Sequence, residues 1–218
     1  MSKTFFQITE LDEVHSARSG KLSCTALHLK DGSMCLYSPV AGLEKSGKEQ
    51  LNELGGVSAL LAPNHYHNKG LKGHKDVFPK ASLYCPEQAR PRLNKITGLQ
   101  FEPMEILRDN LVEGHKILEP EGLKTGEIWV EIESNQERAW VVTDAFSAPL
   151  LAPGQYGDTA STLGTFPRYG VKDAATFKSW VKRQLSIAAP TLLLPCHGSP
   201  VKAQDLGSQL LDLLDKNL

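Results

Sequence analysis

The sequence predicts an α/β (α+β) fold, on three observations. Apolar runs of strand length recur at 57–62, 139–143 and 191–195. Segments with helical spacing of apolar residues lie between or after them, such as Phe177, Trp180, Val181 and Leu185, or Leu206, Leu210, Leu213 and Leu214. Each of the three runs also ends on residue types that bind metals. Val57–Ala62 leads through Pro63-Asn64 to His65-Tyr66-His67; Ala139–Thr143 leads to Asp144; Thr191–Pro195 leads to Cys196-His197. Carboxyl ends of core strands are where α/β sheets tend to hold their ligands.

In chain order, Thr4–Ile8 fits a first strand. Runs 25–30 and 33–37 flank Asp31-Gly32, a two-residue hairpin signal because glycine tolerates positive φ. Residues 39–43 read as loop, and Ser46-Gly-Lys-Glu49 has the capping-box pattern of a short helix through Leu51 and Leu54. The 57–62 strand follows, then a polar stretch 68–80 that fits a loop or a short helix. Residues 81–85 fit a brief strand, and Pro86 suits the first turn of a helix that Pro91 should interrupt. Short strands are expected near 104–107 and 115–118. Gly126–Ser134 alternates as a strand and turns at Asn135-Gln136 into 138–143, a second hairpin. Residues 148–170, rich in Gly and Pro, form a long irregular segment of the kind that shapes a site. Asp173 should cap the helix carrying Phe177 and Trp180.

Composition narrows the function classes. With 218 residues there is room for a sizeable core, and no internal boundary has the character of a linker, so 1–218 reads as one domain. At 40% hydrophobic and 22% charged residues, long disorder is not expected. A net charge of -1, with signs mixed along the chain, leaves no footprint for nucleic acid. The N-terminus lacks the apolar stretch of a signal peptide, and no run reaches the roughly 20 residues of a membrane span. Cys24, Cys35, Cys85 and Cys196 are scattered without a CxxC, which reads as reduced thiols in a cytoplasmic protein.

The motif order resembles the metallo-β-lactamase superfamily. Asn64-His-Tyr-His67 is similar to the front half of its His-x-His-x-Asp-His motif. Val141-Val-Thr-Asp-Ala-Phe146 is similar to the segment bearing its metal-bridging aspartate, and Leu194-Pro-Cys-His-Gly-Ser-Pro-Val201 to its final histidine motif. The resemblance implies a four-layer αββα sandwich with a metal site along one edge of the sheets. It departs from the family at three ligands: Lys69 stands where the motif's Asp would fall, Gly70 where its third His would fall, and Leu123 where the central His would fall. His65, His67, Asp144 and His197 remain. The resemblance therefore implies one divalent ion rather than two, zinc first, with iron or manganese also suited to such ligands. Metal-bound hydroxide would act on an ester, thioester, amide or phosphoester of a small-molecule substrate, with Asp144 central to the chemistry. Lys69 would supply some of the positive charge of the absent second ion. His74 and His115 are either substitute ligands or ordinary surface histidines.

Two rival readings stand beside this one. A non-catalytic descendant of the fold would use the same residues for structural hydrogen bonding and serve in binding or assembly. A cysteine hydrolase would use Cys196 beside His197, although adjacent residues on an extended backbone point apart.

Overall fold

The structure, a computed structural model, describes residues 4–134 and 137–218; the turn expected at Asn135-Gln136 lies outside the described residues. Backbone contacts divide the chain into two units, Met1–Glu113 and Gly114–Leu218. Each has its own sheet and its own apolar cluster, and among the described residues the two sheets are accompanied by seven helices.

The first unit runs β1 (Phe6–Gln7), β2 (Val14–Ser19), β3 (Leu22–His28), β4 (Met34–Tyr37), α1 (Lys48–Glu53), β5 (Val57–Leu61), α2 (Leu71–Val77), β6 (Ser82–Tyr84), α3 (Arg90–Thr97) and α4 (Met104–Asn110). Its six strands lie in chain order. β1 to β4 pair antiparallel, because tight turns join β2 to β3 and β3 to β4; Gly32 takes φ 80° in the expected hairpin. From β4 onward the pairing is parallel, because the longer connections through α1 and α2 return the chain to the same end. All the carboxyl ends of β4, β5 and β6 therefore lie on one side of this sheet.

Ser46 does not cap α1: its hydroxyl bonds the carbonyls of Gly42 and Leu43, and Gly47 is the residue before the helix. Pro91 sits in the first turn of α3, just after Arg90, instead of interrupting a helix, since a proline there gives up an N–H that has no partner within the helix. Residues 104–107 belong to α4, where Met104 and Leu107, three apart, share the buried face.

The second unit comprises β7 (His115–Leu118), β8 (Trp129–Glu133), β9 (Arg138–Val142), α5 (Phe166–Tyr169), α6 (Ala174–Ile187), β10 (Leu192–Pro195), β11 (Val201–Lys202) and α7 (Leu206–Asn217). The sheet order is β11-β10-β9-β8-β7, with β9 and β10 parallel and the other neighbours antiparallel. The crossover from β9 to β10 contains the irregular 148–165 stretch, α5 and α6. Asp173 caps α6 as expected, accepting the Thr176 N–H at 3.0 Å. The core is aromatic: the Trp129 ring centroid lies 5.3 Å from those of Trp140 and Trp180, 5.7 Å from Phe146 and 6.2 Å from Phe177. Such pairs contribute about 0.5–1.5 kcal/mol each beyond the area they bury.

Candidate functional site

The register of the parallel pair β9/β10 builds the best-defined part of the site. Val142 and Pro195 are partners in that ladder, and the Cys196 N–H continues it onto the Val142 carbonyl at 2.9 Å. Asp144 and His197 each lie two residues beyond the registered pair. Neighbouring strands therefore deliver a carboxylate and an imidazole to the same edge. His197 Nε2 and Asp144 Oδ1 are 2.9 Å apart. Their side chains keep 22% and 12% exposure, so the pair is sheltered yet open to a small molecule. Gly198 fixes the exit from this edge: it has φ +109°, and a Cβ there would stand 2.0 Å from the Ala148 carbonyl oxygen. The Ala148 N–H in turn donates to the His197 carbonyl at 2.9 Å.

Beneath Asp144 lies a residue that the sequence reading did not single out. Glu127 is 2% exposed. Its carboxylate accepts the Trp129 indole N–H at 2.7 Å, the Asp144 backbone N–H at 3.2 Å and the Ala145 backbone N–H at 3.3 Å. Burial, and then the nearby Asp144 charge, push this carboxyl above the usual carboxylate range, while the three donors hold it down.

In the first unit the two histidines follow β5. Asn64, fully buried, accepts the N–H of Tyr66 at 2.8 Å and of His67 at 3.1 Å, winding 64–67 into an Asx-type turn. Asn68 ties the next turn, donating to the carbonyls of His65 and Tyr66. Ser38, just past the end of β4, places its Oγ 2.7 Å from His67 Nδ1. A hydrogen bond at one ring nitrogen fixes the ring and directs the other nitrogen outward, as hydroxyl or carboxylate partners do for metal-binding histidines. The His65 ring packs edge-on against Tyr66, centroids 4.3 Å apart, and the Arg92 guanidinium lies 5.3 Å from the Tyr66 ring centroid. Lys69 is exposed.

The departures from the family pattern have physical causes within each unit. Gly70 lies against the strand-end loop, where a Cβ would meet the Pro39 carbonyl oxygen at 2.2 Å and the Ala41 nitrogen at 2.8 Å. No histidine fits there. Leu123 is buried in the apolar cluster with Trp129, Trp140 and Phe177. That position serves the core.

His74 is not a surface histidine, and His115 is only partly exposed. His74 is fully buried on α2, bonded through Nδ1 to the Gly70 carbonyl at 2.9 Å, and burial lowers its pKa. His115 is partly buried on β7, and burial lowers its pKa to about 4. Cys24, Cys35, Cys85 and Cys196 are all buried. No helix among the described residues is long and apolar enough to cross a membrane.

No protein-family model and no curated protein matches this sequence. Solved structures do. A metallo-β-lactamase from Hirschia baltica is 13% identical, with a TM-score of 0.63 over 96% of each chain. The DIM-1 metallo-β-lactamase is 12% identical, with a TM-score of 0.61 over 97% of this chain and 96% of that one. Rubredoxin oxygen:oxidoreductase from Desulfovibrio gigas is 11% identical, with a TM-score of 0.68 over 97% of this chain and 61% of that one. At such identities the likeness is one of fold, and it bears out the resemblance carried by the motifs: the chain has the metallo-β-lactamase fold.

Proposed function

We propose that this chain is a metal-dependent hydrolase with a reduced, mononuclear site, in which Asp144 and His197 of the second unit hold one divalent ion, zinc first, and the motif resemblance adds His65 and His67 as its further ligands. The observation that carries the reading is the Asp144–His197 pair at the ends of β9 and β10. A carboxylate and an imidazole are both zinc ligand types, and at 2.9 Å their Oδ1 and Nε2 converge at one strand edge, where together they could hold an ion. His67, oriented by Ser38, supplies a further imidazole of the kind zinc prefers, and His65 is the fourth candidate.

When bound, such an ion acidifies a water and polarises a carbonyl or phosphoryl oxygen. The chain's own groups would do the rest. Asp144 and His197 would hold the charge of the site and orient the reacting water, with Asp144 able to take its proton. Lys69 would face the negative charge that develops on an ester, thioester, amide or phosphoester substrate. Gly70 and Leu123 support one ion over two, because neither position can carry a ligand.

A second reading draws on those same two positions: a non-catalytic member of the fold that serves in binding or assembly. The two readings separate in a hydrolysis screen with small ester, thioester, amide and phosphoester substrates. The hydrolase reading expects turnover that chelation abolishes and metal restores, and that falls at least a hundredfold in Asp144→Asn and His197→Ala. Turnover unaffected by chelation and by both substitutions would overturn it.

A further inference from the structure

We infer that Glu127 is a positioning residue, the anchor that keeps Asp144 aligned with His197. The inference rests on the metal-site reading only for its consequence on ion affinity; its geometry lies wholly within the second unit.

Asp144 lies two residues past the end of β9. The N–H groups of Asp144 and Ala145 are buried and need acceptors. Glu127, two residues before β8, supplies both: Oε2 takes Asp144 and Oε1 takes Ala145. The Trp129 indole donates to Oε1 as well, and Trp129 is itself locked among Trp140, Phe146 and Trp180. With both oxygens engaged and the side chain buried, the carboxylate cannot rotate. It ties the turn after β9 to the aromatic core, and the Asp144 side chain leaves that turn with Oδ1 2.9 Å from His197 Nε2.

Replacing Glu127 by Gln separates this role from bulk packing. The amide keeps the volume and one acceptor oxygen, which the Trp129 and Ala145 donors retain. Its NH2 then faces the Asp144 N–H, donor against donor, and the Asp144 end of the turn is released. An anchoring residue of this kind typically shifts metal affinity by about 10–100-fold.

Three measurements test the inference. In metal-free, 15N-labelled protein, Glu127→Gln should move the His197 ring-nitrogen resonances in the same sense as Asp144→Asn does. His197 ring signals identical to those of the unsubstituted protein would overturn the inference. Hydrogen exchange needs no variant, which matters if Glu127→Gln fails to fold. The Asp144 and Ala145 amides should be protected in the native protein, and exchange at open-loop rates would overturn the inference. Cobalt(II) titration of the folded variant should show at least tenfold weaker binding at unchanged stoichiometry, and equal affinity would overturn it. Should the unsubstituted protein take up no cobalt, the metal reading falls, and the ring resonances and amide exchange still decide the place of Glu127.

Discussion

Gly70→Ala is a sharp test of why this site is reduced. Gly70 has φ -88° and ψ -14°, an ordinary right-handed conformation that alanine adopts without strain. On backbone grounds alone the substitution should stabilise the protein by about 0.4–1 kcal/mol, by restricting the unfolded chain. The space contradicts this. The new Cβ would lie 2.2 Å from the Pro39 carbonyl oxygen, 2.7 Å from its carbon and 2.8 Å from the Ala41 nitrogen, all backbone atoms. Relief requires the loop after β4 or the start of α2 to move by about an ångström, which we place at about 2–4 kcal/mol by comparison with overpacked cores. For a chain of this size that corresponds to a fall in Tm of roughly 4–16 °C. Thermal and urea denaturation, followed by circular dichroism, measure it directly. An alanine variant as stable as the unsubstituted protein, or more so, would refute the steric argument and reopen position 70 to a ligand.

Two further outcomes follow from the same structure. Asp173→Ala removes the acceptor for the Thr176 N–H and should cost about 1 kcal/mol in urea denaturation, with Asp173→Asn recovering most of it. His115 is held neutral by burial, its pKa lowered from 6.5 to about 4. The unfolded chain therefore binds a proton that the folded chain refuses as the pH falls through 6.5. Its stability contribution is complete above that value and is lost progressively down to about pH 4, up to about 3 kcal/mol in all. His74, also lowered, adds to the loss with the same sign. In His115→Gln, the decline of stability between pH 6.5 and 4 should be shallower than in the unsubstituted protein.

Much of the fold was legible because its site-bearing strands are short apolar runs that stop abruptly at polar residues. β5, β9 and β10 were read to within a residue or two for that reason, and their ends carry the histidines and the aspartate. β2 was not legible: in Val-His-Ser-Ala-Arg-Ser no apolar alternation appears, yet His15, Ser16 and Ala17 are buried between neighbouring strands. α4 was misread because seven residues give too few turns for a helical period to outweigh the apolar pair Ile106-Leu107. Glu127 was missed for a subtler reason. The alternation of 126–134 assigns its odd positions to solvent, but Trp129 and Glu131 on that side are buried too, and the carboxylates of Glu127 and Glu131 serve the indole N–H groups of Trp129 and Trp140. Two acids beside two tryptophans on one strand pair are the available signal. Asn64 was not singled out either, because its acceptance of two N–H groups from the His-x-His segment depends on a turn that the sequence alone left loosely defined.

The most direct test of the account is the metal content of the purified protein, measured by elemental mass spectrometry beside a His65→Ala/His67→Ala double variant and His197→Ala. The unsubstituted protein should carry about one equivalent of a divalent transition metal, and both variants should lose it. Two equivalents would contradict the reduced site, and no bound metal even after reconstitution would contradict the metal-dependent hydrolase itself.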